Sequence, residues 1–128
     1  MKAIQWGIPF LLALAFQGSV MAGELVTAHI GADGQVLKQS PVWISRVQHQ
    51  PQANYFTQYK LSLQGLGRAP GFCAVSPIDA SSYDKQLHGS AKVIGVPSAD
   101  KLTVMTQLVD LSGPSGDNSQ EFLLMCVR

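Results

Sequence analysis

Three histidines, two cysteines and a scatter of carboxylates and hydroxyls are the groups in this chain that could do chemistry. His29, His49 and His88 are the only imidazoles. No two of them stand at the short spacing of ligands on one element, and no metal site is expected. The nearest approach to a serine nucleophile elbow is Ser112-Gly113-Pro114-Ser115-Gly116-Asp117. It lacks the second glycine in register and reads as a loop. Asp79, Asp84, Asp100, Asp110 and Asp117 are dispersed, and Asp117-Asn118 puts two oxygens side by side where a calcium loop spaces several along the chain. No glycine-rich turn opens a helix to cradle phosphate. Cys73 and Cys126 form no Cys-x-x-Cys pair, and nothing local would lower a thiol pKa. Neither an enzyme nor a bound cofactor is expected.

Contact chemistry remains. Tyr83 lies in Ile78–His88, a stretch without a clean period, beside Ser81, Ser82, Asp84 and Lys85. Long loops in compact domains are usually either functional or disordered. A ring flanked by opposite charges and hydroxyls is how sugar rings and protein surfaces are commonly held. Tyr83 with Asp84, Lys85 and His88 is therefore the expected main contact patch. Phe56 is a second candidate, because it falls on the polar side of its strand with Gln58 and Lys60. The expected partner is a protein or carbohydrate surface.

Composition narrows the class further. Of 128 residues, 46% are hydrophobic and 13% are charged, about half the globular norm for charge. That excludes a disordered tail and a nucleic-acid binder acting through an overall basic surface. The apolar run from Ile4 to Phe16 follows Lys2 and is broken by Gln17, Gly18 and Ser19. Val20-Met21-Ala22 then offers a signal-peptidase site. Residues 1–22 are expected to be a cleaved signal peptide, and 23–128 a single domain that is periplasmic or secreted and has no membrane attachment. The domain keeps eight basic and eight acidic residues. Neutrality argues against steering toward nucleic acid and is compatible with self-association. In an oxidising compartment Cys73 and Cys126 are expected to pair.

The elements that must position these groups read as strands. Val26, Ala28 and Ile30 alternate within Glu24–Gly31, and Ala32-Asp33-Gly34 turns the chain into Gln35–Gln39. Ser40-Pro41 opens Val42–His49, which Gln50-Pro51-Gln52-Ala53 should break. Asn54–Gln64 has a period of two over eleven residues, with Tyr55, Thr57, Tyr59, Leu61 and Leu63 on the expected buried side. Gly65–Gly71 is a loop. Phe72–Val75 is a short strand that Pro77 should stop. Ala91–Val96 and Lys101–Asp110 flank a hairpin-length turn, and Leu102, Val104, Thr106 and Leu108 share a face. Ser112–Asn118 is a polar loop. Glu121–Val127 is apolar on both faces and should be buried on both, centrally or under a partner. About eight short strands with Gly/Pro turns predict an all-β antiparallel sandwich or jelly roll.

Five segments carry a resemblance. They are Ala32-Asp33-Gly34-Gln35-Val36, Trp43-Ile44-Ser45-Arg46-Val47, Tyr59-Lys60-Leu61-Ser62-Leu63, Ala69 to Val75, and the closing Phe122 to Val127. The pattern resembles the small β-sandwich head domains, of C1q/TNF-like shape, at the tips of phage tail fibres and bacterial surface fibres. The resemblance implies a trimeric recognition head. The expected function is an exported, non-enzymatic binding module, adhesion-related and homotrimeric. The alternative is an exported inhibitor of a lysozyme or protease, acting through a protruding loop.

Overall fold

In the computed structural model the described residues are 24–78, 89–110, 113–114 and 116–128. The expected signal peptide and the expected patch of Tyr83, Asp84, Lys85 and His88 lie outside them. Within them the alternating segments become strands: β1 (Leu25–Ile30), β2 (Val36–Ser40), β3 (Ile44–Gln52), β4 (Phe56–Leu63), β5 (Phe72–Pro77), β6 (Gly89–Ile94), β7 (Lys101–Asp110), the two-residue β8 (Gly113–Pro114) and β9 (Phe122–Val127). All pairings are antiparallel. Sheet I has the order β2-β1-β9-β5, and sheet II the order β3-β4-β7-β6, with β8 paired to β7. The molecule is an all-β sandwich.

Period-two patterning decides which side of each strand faces in. Val26, Ala28 and Ile30 of β1 and Phe122, Leu124 and Cys126 of β9 meet Tyr59, Leu61 and Leu63 of β4 and Leu102 and Val104 of β7 across the sandwich. Burial of each large side chain contributes roughly 1.5–3 kcal/mol. Trp43, just before β3, is fully buried, and its indole N–H donates to the Thr27 carbonyl at 2.8 Å. The corner that carries it contains a cis Ser40–Pro41 bond and is clamped by Gln39. The Gln39 side-chain oxygen accepts from the Trp43 and Ile44 amides at 2.9 and 2.8 Å. In the β1–β2 turn Gly34 has φ of 90°, and a Cβ there would lie 3.0 Å from the Cβ of His49. Glycine answers both demands.

Four expectations are corrected. β3 runs through Gln50, Pro51 and Gln52. It is an edge strand, where the missing proline N–H removes no necessary ladder bond. The same holds at β5, another edge, which includes Pro77. Tyr55 is exposed, because the chain is still turning there: Asn54 takes φ of 64° and the Tyr55 amide donates to the Gln52 carbonyl. β9 is buried on one face only, alternating buried and exposed along its length. It is central in its sheet, between β1 and β5, but the sandwich has only two layers.

Cys73 and Cys126 form a disulfide between directly paired residues of β5 and β9, closing a sequence separation of 53. Cys73→Ser should lower unfolding free energy by roughly 2–5 kcal/mol in denaturant titrations. Thiol labelling of the denatured, unreduced protein should find no free sulfhydryl. The two sides of β4 make opposite demands. Leu61→Asp puts an unpaired charge into the core and should unfold the domain. Lys60→Asp, on the exposed side, should stay within about 0.5 kcal/mol of the parent. Equal losses in circular-dichroism melts would overturn the strand assignment.

Candidate functional site

Two groupings of side chains stand out once the strands are in register. The first is polar and closes one end of the sandwich. Segment 116–120 enters that end and buries Asn118, Ser119 and Gln120. Its polar groups are bonded one by one, except Gln120 Oε1, which is buried without a hydrogen-bond partner. The Thr106 hydroxyl donates to the Asn118 carbonyl at 2.7 Å, and the Leu108 amide donates to Asn118 Oδ1 at 2.8 Å. The Tyr59 hydroxyl donates to the Ala32 carbonyl at 2.6 Å and accepts from the Gln120 amide at 3.1 Å. Gln120 packs on Gly89, where a Cβ would stand 2.3 Å from Gln120 Oε1, so any larger residue there would displace the Gln120 side-chain amide.

This cluster brings His49, Ser119 and Asp117 together, an arrangement the sequence spacing did not disclose. Its connectivity is not that of a nucleophilic triad. The Ser119 hydroxyl donates its one hydrogen to Asp117 Oδ1 at 2.6 Å. The His49 Nε2 contact at 2.7 Å must therefore be an imidazole N–H donating into the serine oxygen. In a triad the imidazole takes the serine proton and the carboxylate orients the imidazole. Here the serine bridges the other two, buried with Thr57 beside it. The same carboxylate accepts from the Ser119 amide at 3.0 Å, as in an Asx turn. The cluster ties β3 and β4 to the closing segment and offers no activated nucleophile.

The second grouping is the outer face of sheet I. Its rows follow from pairing. Leu25, Val127 and Phe72 form one row, Thr27, Met125 and Ala74 the next, and His29, Leu123 and Ser76 the third. Leu25 is 51% exposed, Phe72 59%, Leu123 44%, Met125 40% and Val127 39%. Scattered exposed apolar residues are normal, but five in adjoining rows of one sheet form a contiguous patch, and such patches mark interaction sites. The face holds a trough of about 450 Å³ whose lining includes Thr27, His29, Lys38, Ala74, Leu123 and Met125. One end is polar: His29 Nε2 lies 2.5 Å from Glu121 Oε2, and Lys38 is paired across from His29. At the other end Arg128 pairs with Glu24 and donates to the Gly65 carbonyl.

Of the residues singled out from the sequence, Phe56 is half-buried at the start of β4, in an edge-to-face contact with Tyr55 at 4.4 Å between centroids. It lies on the outer side of sheet II, away from the apolar patch. The apolar patch was foreshadowed only by the two-sided apolar pattern of 121–127.

Burial pushes the Tyr59 phenol above its ordinary pKa, against the lowering effect of its hydrogen bonds. A phenol that resists ionisation when folded but ionises freely when unfolded makes the unfolded state bind fewer protons at high pH. The stability it supports is complete below about pH 10 and lost as pH rises through the folded-state pKa. Urea titrations across pH 8–11 should show stability falling in the alkaline range. Tyr59→Phe should lower stability at neutral pH, by about 1–2 kcal/mol, and flatten that alkaline loss. An unchanged alkaline slope in the variant would assign the effect to another group.

No family model, no curated protein and no solved structure matches this chain.

Proposed function

We propose that this chain is an exported, non-enzymatic binding module that works as a homo-oligomer joined through the outer face of sheet I. The observation that carries the reading is the contiguous exposed patch of Leu25, Phe72, Leu123, Met125 and Val127. Two further facts support self-association. The domain after residue 22 has eight charges of each sign, so copies do not repel at long range. The face also carries both signs at its polar end, with Lys38 and His29 beside Glu121. The Cys73–Cys126 disulfide is compatible with an oxidising, exported location.

Area sets the strength. Four strands about 4.8 Å apart and six residues at about 3.3 Å each give a footprint of roughly 400 Å². A stable interface buries about 800 Å² on each partner. Association through this face alone is therefore reversible and depends on concentration. A single self-complementary face generates a two-fold pair, whereas a trimer needs two different patches on each copy.

Light scattering on the exported, disulfide-bonded protein tests the reading. The mass should exceed one copy at high concentration and fall toward one copy on dilution. Met125→Asp and Leu123→Asp should hold it at one copy, with melting shifted by no more than about 0.5 kcal/mol because both positions are exposed. A single-copy mass for the parent at every concentration, or an oligomer that survives both substitutions, would overturn it.

A further inference from the structure

We infer that the outer face of sheet II is a binding surface for acidic polysaccharide. The inference rests on a different face from the proposed self-association and stands without it.

The chain's neutrality conceals how its charges are placed. Arg46 of β3, Lys60 of β4, Lys92 of β6 and Lys101 of β7 are exposed. Antiparallel register puts them on one side of the sheet. Arg46 faces Ser62, and Ser62 faces Lys101. One row along, Lys60 lies between Gln48 and Thr103, and beyond that Lys92 faces Met105. Strands β3, β4 and β6 contain no Asp or Glu, and β7 has only its terminal Asp110. Asp100, just before Lys101, accepts from the Ser98 hydroxyl at 2.8 Å. Among the described residues none of the four cations is in an ion pair. Half of the eight basic residues after position 22 thus project from one sheet face whose own strands supply no neutralising carboxylate there.

The surface between them is shaped for a sugar polymer. Arg46, Gln48, Lys60, Ser62, Lys101 and Thr103 line a shallow depression of about 300 Å³. Amides and hydroxyls alternate with the cations, the donor and acceptor set that meets sugar hydroxyls. Arg46 and Lys101 are two strands apart, roughly 10 Å, and Lys60 is about 7 Å along the strand from Ser62. Cations set apart in this way and repelling one another are not satisfied by one small anion. A ligand with negative groups repeated along its length meets them together. At the far end of β4, about 20 Å from Ser62, Phe56 and its edge-to-face partner Tyr55 offer an aromatic surface for the apolar face of a sugar ring.

Two other polyanions fit less well. Single-stranded nucleic acid is held by aromatic platforms interleaved with cations, and the cationic part of this face has none. An anionic membrane would be met by cations together with inserting apolar side chains. The large exposed apolar residues of the sheets lie on the opposite sheet.

The test is binding of the exported, disulfide-bonded protein to immobilised polygalacturonate, with uncharged dextran, duplex DNA and anionic lipid vesicles as comparison surfaces. Polygalacturonate should bind at low salt and release as salt rises, and dextran should not bind. The triple variant Arg46→Gln, Lys60→Gln, Lys101→Gln should weaken binding by about tenfold or more and flatten the salt dependence. Arg68→Gln, a cation in the 65–71 loop that does not line the depression, should leave binding unchanged. Melting curves that match the parent show that the triple variant is folded, and Lys92→Gln alone gives a milder loss of binding should the triple variant fail to fold. Met125→Asp should still bind, which separates this result from the outcome for self-association. No binding to polygalacturonate, equal binding by the folded triple variant, or stronger binding to DNA or vesicles would overturn the inference.

Discussion

Strand β9 and its pairing on both sides are what the remainder of the sandwich depends on. It is the last strand of the chain, and it pairs with the first, β1, from Leu25↔Val127 to Ile30↔Phe122. On its other side it pairs with β5 from Phe72↔Val127 to Pro77↔Phe122. Alternation then divides it: Phe122, Leu124 and Cys126 go to the core, while Leu123, Met125 and Val127 go to the outer face. A slip of one residue would exchange the two sets, and both are apolar, so hydrophobicity alone specifies this register weakly. The Cys73–Cys126 bond supplies the missing specification, because only the observed register brings the two cysteines opposite each other on the core side. The cross-link thus fixes which apolar residues remain outside.

The polar end of the sandwich makes a second kind of specification. Segment 116–120 packs with the donors and acceptors it carries inward partnered, Gln120 Oε1 excepted, since an unpaired buried polar group costs about 1–3 kcal/mol. Thr106, Tyr59, His49 and Asn118 supply those partners from β7, β4, β3 and the segment itself. The Tyr59 hydroxyl links the β1–β2 turn to the closing segment through Ala32 and Gln120. A Ser-His-Asp grouping arises here as a by-product of closure, and its hydrogen-bond directions identify it as structural.

Much of this fold was legible from alternation. Val26, Ala28 and Ile30, the Thr57–Leu63 series and the Leu102–Leu108 series all face the core as their period required. The misreadings share one cause: a residue's local preference was given more weight than its place in the sheet. Pro51 and Pro77 look like breakers until β3 and β5 prove to be edges. Tyr55 has the right parity for the core but sits in the turn set by Asn54. The 121–127 segment looks buried on both sides because an apolar residue on a strand is usually inside. Its exposed half became a candidate site only when the register of β1 and β5 laid Leu25 and Phe72 beside Val127. The cations of sheet II were equally hidden, since Arg46, Lys60, Lys92 and Lys101 are far apart in sequence and lie together only through β3-β4-β7-β6 pairing.

The edges of both sheets are protected against pairing with another chain. An exposed strand edge is the readiest template for another chain, and proteins blunt it with proline, charge or shortness. Here β3 carries Pro51, β5 ends on Pro77, β2 has five residues with Lys38 among them, and β6 carries Lys92. Every edge of both sheets is therefore marked against pairing with another strand. Antiparallel sheets in a two-layer sandwich normally turn a polar face to water. Sheet II keeps that rule with amides and cations, and sheet I breaks it with five large apolar side chains. An exposed apolar face favours aggregation unless a partner covers it, and the proposed self-association would supply that cover. The two outer faces thus differ in kind: that of sheet I is apolar, and that of sheet II is polar and cationic.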